Sequence, residues 1–196
     1  AGGYIDILGY PFCRGRIFSH LEEDHGQYDD TCQVFWATGA CLFIKSEVFK
    51  EVGGFDEDFF AHMEEIDLCW RLKNAGYKIV YIPQSTVYHV GGGTLPNNSP
   101  RKLYLNYRNN LFLLYKNLAS SELFSTIFKR MLLDGLSGLA YFFSGRFVQS
   151  WMVFKAHLSF YALIRTMHKK RGKNQLKLKQ INEIYAGSIV FSYFVK

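Results

Sequence analysis

The sequence predicts an α/β fold with a mixed sheet, followed by an α-helical region, in a chain of 196 residues. Two observations predict this fold class. Before residue 98, short β-type runs such as "YKIVYIP" (77–83) alternate with short helical segments, separated by Gly and Pro. After residue 98, apolar and aromatic residues recur at helical spacing. We therefore divide the chain into an α/β part, residues 1–98, and a helical extension rich in basic and aromatic residues, residues 99–196.

Composition, together with the positions of glycines and capping residues, predicts the N-terminal elements. Residues 1–31 are rich in Gly, Tyr and charge, and predict loop with little regular structure. Residues 32–45 predict β structure with a break near Thr38–Gly39. A short helix should follow, with Ser46 as its N-cap and Gly53 just past its end.

The next segments are a helix and two strand-like runs. Residues 64–74 predict a helix that Gly76 ends. Residues 77–83 and 85–90 are strand-like and are divided by a proline. Residues 91–100, "GGGTLPNNSP", predict a mobile or ligand-binding loop.

The extension should begin with a well-marked helix. Ser99 and Pro100 are typical of an N-cap followed by the first helical residue. Further helices are predicted over 123–168, with breaks near Gly135 and Gly145. The apolar and aromatic positions at helical spacing after Pro100 are Tyr104, Tyr107, Leu111, Leu114 and Leu118.

Charge is distributed unevenly along the chain, whose formal net charge is +6. Up to Asp67 there are 14 acids against 4 Lys/Arg, and from Leu68 onward there are 3 acids against 19. We expect the first half to bind a cation or to handle protons, and the second half to seek anions.

The four cysteines contain no CxxC pair, which disfavours a zinc site and predicts reduced, mostly buried thiols in a cytosolic protein. No apolar run approaches the ~18–20 residues that span a bilayer. The chain opens with "AGGYID", without a start Met or a targeting segment, and we expect it to be a piece of a longer protein.

Residues 55–72, "FDEDFFAHMEEIDLCWRL", contain six acids in an otherwise apolar and aromatic segment. Three interpretations stay open from the residues alone. The first is a solvated acidic loop that leads into a helix whose first turn favours acids. The second is a metal site at 56–58, which fits a D-x-D pattern. The third is a catalytic carboxylate at a helix N-terminus, with a pKa tuned by apolar neighbours.

Helical geometry separates the acids of this helix. Glu64 and Asp67 lie on one side and Glu65 points elsewhere. Asp67 lies four residues before Arg71, the favourable order for an ion pair. The pattern therefore predicts that Asp67 is paired with Arg71 and leaves Glu65 available for proton transfer.

Residues 36–95 closely resemble the C-terminal half of the catalytic domain of family 2 glycosyltransferases, in the rhamnosyltransferase-like branch. The motifs are "GGFDEDFF", "EEIDLCWRL" and "YHVGGGT", in order and at the family's spacings. The resemblance implies that residues 1–98 are the acceptor-side half of a GT-A (Rossmann-like) domain, and are therefore a partial GT-A domain. It implies polysaccharide biosynthesis by inverting transfer from a nucleotide-diphosphate sugar to a hydroxyl of a cell-surface or lipid-linked glycan.

The same resemblance assigns the catalytic and acceptor-side residues. Glu65 occupies the position of the general base that deprotonates the acceptor hydroxyl, where the family more often has Asp. Glu64 would line the acceptor pocket, and Asp67 belongs to the same acidic motif among the substrate-binding positions. The residues that would border the pocket are Trp36, Thr38 and Gly39.

The resemblance assigns only a few residues of this chain to the donor-binding side. His89 would face a catalytic divalent cation, Mn²⁺ or Mg²⁺, or the nucleotide diphosphate. Gly91 and Gly92 would let the backbone approach the diphosphate. The metal-binding D-x-D motif of the family should lie upstream of Ala1, so the tripeptide at 56–58 is a chance match. We therefore expect residues 1–196 alone to be inactive.

The helical extension predicts a membrane-associating region. Residues 165–179 carry seven Lys/Arg and no acid. Residues 139–164 are rich in aromatic side chains, but their uncharged runs are too short to span a bilayer. We expect peripheral binding to anionic lipid at the cytoplasmic, inner face of the plasma membrane. The alternatives are packing on the α/β part or on a second copy in a homo-oligomer. Nucleic acid is disfavoured because the apolar content exceeds what a nucleic-acid groove uses.

Two other functions stay open. The chain could be a non-catalytic module that binds glycan or membrane, derived from such an enzyme. A metal-dependent hydrolase is the weaker alternative.

Overall fold

The computed structural model describes residues 2–89 and 99–194 and shows an α/β fold. The strands in these residues are β1 (Gly3–Asp6), β2 (Pro11–Cys13), β3 (Arg16–Ile17), β4 (His20–Leu21), β5 (Cys32–Gln33), β6 (Val80–Tyr81) and β7 (Ile184–Tyr185). The α-helices are α1 (Ser46–Glu51), α2 (Glu64–Asn74), α3 (Pro100–Asn117), α4 (Ser120–Phe143), α5 (Phe147–Lys170) and α6 (Ile189–Phe194).

The main sheet is mixed, as predicted. Its strand order is β4-β3-β2-β1-β7, with antiparallel pairs except for the parallel pair of β1 and β7. β5 and β6 form a separate antiparallel pair. The expectation of loop over residues 1–31 was wrong, because β1 to β4 lie there. These strands are two to four residues long, and β1 also pairs with β7 near the other end of the chain, so local patterns could not reveal them.

The other β predictions hold only in part. In residues 32–45 the strand is limited to β5, and the predicted break is a 3-10 turn at Gly39–Cys41. In residues 77–83 the strand is limited to β6. Residues 85–89 form no strand.

The predicted helix boundaries are largely confirmed. α2 runs over Glu64–Asn74 and is followed by Gly76 at φ 88°, a conformation that glycine adopts without strain. α1 is present, but its N-cap is Lys45 and Ser46 is already helical, so the predicted cap was one residue late. The Ser99 side chain accepts a hydrogen bond from the Lys102 backbone nitrogen at 3.2 Å, which confirms the predicted start of α3.

Only one of the two predicted breaks in the long helices is present. Gly145 has φ 74° and separates α4 from α5. α4 continues through Gly135, so that predicted break was wrong. A single glycine costs only about 1 kcal/mol in a helix, and the packing of α4 against its neighbours outweighs this cost.

A shared hydrophobic core joins the two parts of the chain. Buried side chains from both sides of residue 98 form one cluster, in which Phe59 and Trp70 of the first part pack with Phe112, Leu114 and other residues of the second. α3 therefore belongs to the body that carries the α/β elements, although the composition changes where it begins.

The described helices include no segment both long and apolar enough to cross a bilayer. The four cysteines are free thiols; Cys69 is buried and the other three are partly buried, so the expectation of mostly buried thiols holds fully only for Cys69.

Candidate acceptor site at the start of α2

A pocket of about 340 Å³ opens at the N-terminus of α2. One wall comes from α2 and the turn before it, another from the first strands of the main sheet, and α3 contributes a single residue. The lining residues are Pro11, Phe12, Cys13, Arg16, Phe18, Trp36, His62, Met63, Glu65, Ile66 and Asn106.

Glu65 is the acidic side chain of this pocket. Burial raises the pKa of its carboxyl to about 7, and the neighbouring charge of Glu64 adds to the shift, while backbone N–H groups of Glu65 and Ile66 oppose it. Its Oε2 atom is buried and has no hydrogen-bond partner among the described residues. A carboxyl with this pKa and a vacant acceptor atom can take a proton near neutral pH.

The turn that leads into α2 has an unusual backbone. Phe60, His62 and Met63 have φ of 62°, 68° and 72°, although none is glycine. Such residues cost on the order of 1–3 kcal/mol each and persist only where the surroundings enforce them. Met63 is the N-cap, and its side chain makes no capping bond, so the turn aims the first residues of α2 rather than capping the helix.

Two other polar side chains neighbour Glu65: His62 lines the pocket, whereas Glu64, which was predicted to line it, is not among its lining residues. One side-chain atom each of Glu64 and His62, Oε2 and Nε2, is buried without a hydrogen-bond partner in the described part of the chain. Burial lowers the pKa of His62, and Lys102 lowers it further, so its imidazole is neutral at pH 7. A neutral imidazole beside a carboxylate suits hydrogen bonding to a sugar hydroxyl.

Asp67 lies in the protein interior instead. Its carboxylate is fully buried and accepts hydrogen bonds from Arg71 Nε at 2.9 Å, Lys116 Nζ at 3.0 Å and Asn117 Nδ2 at 2.8 Å. The predicted ion pair with Arg71 is confirmed. The placement of Asp67 among the substrate-binding residues is corrected, because both of its oxygens bind protein groups and it does not line the pocket.

Of the predicted acceptor-side residues Trp36, Thr38 and Gly39, only Trp36 lines the pocket. Trp36 is part of the pocket wall, and its indole nitrogen donates to the Tyr4 carbonyl at 3.0 Å. Thr38 and Gly39 are exposed and do not line the pocket. The Thr38 hydroxyl instead accepts from the Ala40 nitrogen at the 3-10 turn.

The aspartates of the tripeptide at 56–58 are paired with lysine side chains. Asp56 is bonded to Lys116 and Lys170, and Lys170 also lies 2.6 Å from Asp58. Burial alone would raise the pKa of Asp56, but the two lysine hydrogen bonds outweigh it and lower the pKa to about 2. These carboxylates stabilise the fold by ion pairing, consistent with a chance D-x-D match.

The described residues do not fit a divalent cation. In residues 2–89 and 99–194, no three His, Cys, Asp or Glu side chains are grouped closely enough to hold one. His89 is exposed, and its role as a metal ligand stays a prediction. Gly91 and Gly92 lie outside the described residues.

Sequence reasoning missed one wall of the pocket. Phe12, Arg16 and Phe18 come from a segment interpreted as loop, and Asn106 comes from the helical extension. The aromatic residues at 12 and 18 were the available signal, but only the sheet pairing brings them opposite α2.

Comparisons with known proteins identify the family of the chain. The family described as "Glycosyl transferase family group 2" matches residues 15–167. An N-acetylglucosaminyl-diphospho-decaprenol L-rhamnosyltransferase of Mycobacterium tuberculosis is 46% identical over 88 residues, which are 45% of this chain and 28% of that protein. Rhamnosyltransferase WbbL of Escherichia coli K12 is 39% identical over 62 residues, 32% of this chain and 23% of that protein.

A more distant relative matches a longer stretch. Low-salt glycan biosynthesis hexosyltransferase Agl10 of Haloferax volcanii is 29% identical over 122 residues, 60% of this chain and 34% of that protein. The matched stretches thus span 23% to 34% of these relatives' lengths. No solved structure matches it significantly. The resemblance to the rhamnosyltransferase-like branch is confirmed, and because the family match covers most of the chain, the protein belongs to glycosyl transferase family group 2.

Proposed function

We propose that the protein is the acceptor-side part of an enzyme that transfers a sugar, with inversion, from a nucleotide-diphosphate sugar to a hydroxyl of a cell-surface or lipid-linked glycan. The observation that carries the proposal is the Glu65 carboxyl, with its vacant Oε2 atom and a pKa of about 7, in the wall of a pocket.

The chemistry requires one proton acceptor at this point. Glu65 takes the proton of the acceptor hydroxyl while that oxygen attacks the anomeric carbon of the donor. The bond from this carbon to the diphosphate breaks, and the nucleoside diphosphate leaves with its electron pair. In-line attack on the face opposite the leaving group inverts the anomeric carbon.

The other pocket walls suit a sugar acceptor. Phe12, Phe18 and Trp36 offer flat apolar faces against which the C–H face of a sugar ring can pack. His62 and Asn106 offer polar groups for hydroxyls. The names of these relatives favour a deoxyhexose or hexose donor, and that of the Mycobacterium tuberculosis protein favours an acceptor linked to lipid through a diphosphate.

A divalent cation, Mn²⁺ or Mg²⁺, remains part of the proposal, as in the family generally. The described residues do not supply its ligands, so it would be held by groups outside them together with His89.

Because we expect residues 1–196 alone to be inactive, turnover of the full-length native protein with a panel of uridine and thymidine diphosphate sugars tests the proposal. Glu65→Gln keeps the side-chain shape but cannot accept the proton, so kcat should fall by ~10²–10⁴ with little change in donor affinity. Glu65→Asp is the matched control, because it keeps a carboxylate and should retain part of the activity. Near-normal turnover of Glu65→Gln would reject Glu65 as the base. Glycan binding without turnover by the native protein would favour the non-catalytic alternative.

We also propose that the protein binds the inner face of the plasma membrane peripherally through the hairpin of α4 and α5. Each helix exposes a row of large apolar side chains at helical spacing. The rows are Phe124, Phe128, Leu132, Leu136, Leu139 and Phe143 on α4, and Phe147, Trp151, Phe154, Leu158 and Tyr161 on α5.

The charge near this hairpin suits anionic lipid. Arg146, Lys155, Arg165 and Lys169 are exposed on or beside it. The basic run 165–179 contributes less than its composition suggests, because Lys170 pairs with acids and Arg171 donates to backbone carbonyls at the end of α3. We therefore expect the apolar rows to contribute most of the free energy of membrane binding. The cations should give the preference for anionic lipid.

Vesicle sedimentation tests the proposed membrane binding. Binding should increase with anionic lipid, and the double change Trp151→Gln, Phe154→Gln should weaken it at least fivefold. Phe43→Gln is the matched control, since it removes an exposed aromatic residue outside the hairpin. Equal binding by both variants would reject the hairpin as the membrane surface. Concentration-dependent self-association that the double change abolishes would show instead that a second copy covers the hairpin.

A further inference from the structure

The turn before α2 contains a tight loop that the sequence does not favour. The Ala61 nitrogen donates to the Phe59 carbonyl at 2.7 Å, and Phe60 between them has φ 62° and ψ −59°. This is a γ-turn with positive φ at its centre, the rare and strained form. His62 and Met63 follow it in left-handed backbone, and Glu65 lies two residues further on.

One side chain of α3 holds this turn. Asn109 is fully buried, and its Nδ2 lies 2.8 Å from each of the carbonyl oxygens of Phe59, Ala61 and His62. These carbonyls converge because the turn reverses the chain. Without the amide, the carbonyls of Ala61 and His62 would lose this donor, whereas that of Phe59 would keep the Ala61 nitrogen and Arg108, and the loss favours a relaxed turn.

Arg108 orients that amide. Its Nε atom donates to Oδ1 of Asn109 at 2.9 Å, which directs the amino group of Asn109 towards the turn. Its Nη2 atom donates to the carbonyls of Asp58 at 2.9 Å and Phe59 at 3.2 Å. Two consecutive residues of α3 therefore bind the carbonyls of Asp58, Phe59, Ala61 and His62.

We propose that Asn109, oriented by Arg108, is a positioning residue for Glu65: it holds the strained turn closed and thereby keeps the Glu65 carboxyl in the pocket wall. The inference rests on the proposed function for its catalytic meaning, but the geometry it describes does not depend on activity. Asn109 does not line the pocket and acts through the backbone.

The adjacent asparagine provides a matched control. Asn110 is also almost fully buried, and its Nδ2 donates at 2.8 Å to the carbonyl of Gly9, about 100° around α3 from Asn109. Its Oδ1 accepts from Arg130 at 2.5 Å. Asn110→Ala should therefore destabilise the fold about as much as Asn109→Ala without relaxing the turn.

The decisive measurement is the titration of the Glu65 carboxyl by carbon-detected NMR in each variant, together with thermal unfolding. The groups that face Glu65 and its turn are Glu64 and Cys69 on α2, His62 in the turn, Arg16 on β3, and Arg101, Lys102 and Arg108 on α3. None of the asparagine variants adds or removes a charge, so a changed pKa reports a rearrangement of Glu65 and its turn.

We expect Asn109→Ala to lower the pKa of Glu65 by one unit or more from about 7, towards the ordinary value of 4.5, because the released turn exposes the carboxyl. Asn109→Leu should do the same, since it keeps the approximate size of the side chain and removes the amide without adding a charge. In Asn110→Ala the pKa should stay within about 0.3 units. Arg108→Lys keeps the positive charge but loses the guanidinium hydrogen bonds to Asn109 and to the turn, so it should give a smaller shift in the same direction, and it provides the test if Asn109→Ala fails to fold.

Activity separates this inference from the proposed function. The pH at half-maximal kcat should shift with the Glu65 pKa in Asn109→Ala and stay unchanged in Asn110→Ala. An unchanged Glu65 pKa in both Asn109→Leu and Arg108→Lys would overturn the inference. A shifted pKa combined with normal turnover of Glu65→Gln would uphold the positioning role and reject Glu65 as the base.

Discussion

Lys116 and Asp67 form a buried ion pair between the two parts of the chain that differ in composition. Nζ of Lys116 lies 3.0 Å from Oδ2 of Asp67, and the two side chains are 3% and 0% exposed. Asp67 belongs to the acidic motif and Lys116 to the basic extension, so the opposite charges of the two halves meet inside the fold. Some of the opposite charges of the two halves therefore serve to hold the two halves together.

Asp67→Asn should destabilise the protein by ~3 kcal/mol, because it leaves Arg71 without a carboxylate and the buried Lys116 with Asp56 alone. Chemical denaturation monitored by far-UV circular dichroism measures the loss. Glu57→Gln, at an exposed acid of the same segment, is the control and should change the stability by less than ~0.5 kcal/mol. A loss below ~1 kcal/mol for Asp67→Asn would contradict the buried network.

Glu65→Gln should make the protein more stable at high pH. Because the folded pKa of Glu65, about 7, exceeds the ordinary 4.5, the folded state holds this proton more tightly than the unfolded state. Its stabilisation is complete below pH 4.5 and is lost as the pH rises through about 7. Gln mimics the protonated form, so the gain should be on the order of 1–3 kcal/mol at pH 8 and near zero at pH 4.5. Equal melting temperatures of the two proteins at pH 8 would contradict the burial of this carboxyl.

Asp56→Asn should show the opposite dependence on pH. The pKa of Asp56 is lowered to about 2, so its ion pairs with Lys116 and Lys170 stabilise the fold above the ordinary value of 3.8 and are lost as the pH falls through about 2. The variant should be less stable than the native protein by roughly 2 kcal/mol at pH 7. Urea unfolding at several pH values measures this gap, which should narrow below about pH 4 and close near about pH 2. A gap that is constant with pH would mean that the loss arises from packing alone.

Gly3→Ala should displace a wall of the acceptor pocket. A Cβ atom on Gly3 would lie 2.2 Å from Cε2 of Trp36, so the indole would have to leave its place beside the Tyr4 carbonyl. We expect a loss of ~1–3 kcal/mol in stability and a raised KM for the acceptor with a smaller effect on donor binding. Gly39→Ala is the control, because nothing lies within 4 Å of its added Cβ atom. Unchanged acceptor KM in Gly3→Ala would place the acceptor away from Trp36.

Local signals were sufficient for the helices that carry and neighbour the site. The acids of the first turn and Gly76 predicted α2 with its observed bounds, and Ser99 predicted the start of α3. The spacing of Asp67 and Arg71 predicted their ion pair. Such signals work because caps, glycine stops and contacts four residues apart involve only neighbouring residues.

The acceptor pocket depended on contacts between residues far apart in the chain. β1 is placed by β7, and the wall that carries Phe12 and Phe18 follows from that sheet. Asn109 holds the turn before Glu65 from about 50 residues further along the chain. Strands of two to four residues and single buried amides have no periodicity of their own, and their partners are chosen by the packing of the whole core. Composition and motifs therefore pointed to the carboxylate and its family, whereas the pocket around it arises only when the chain folds.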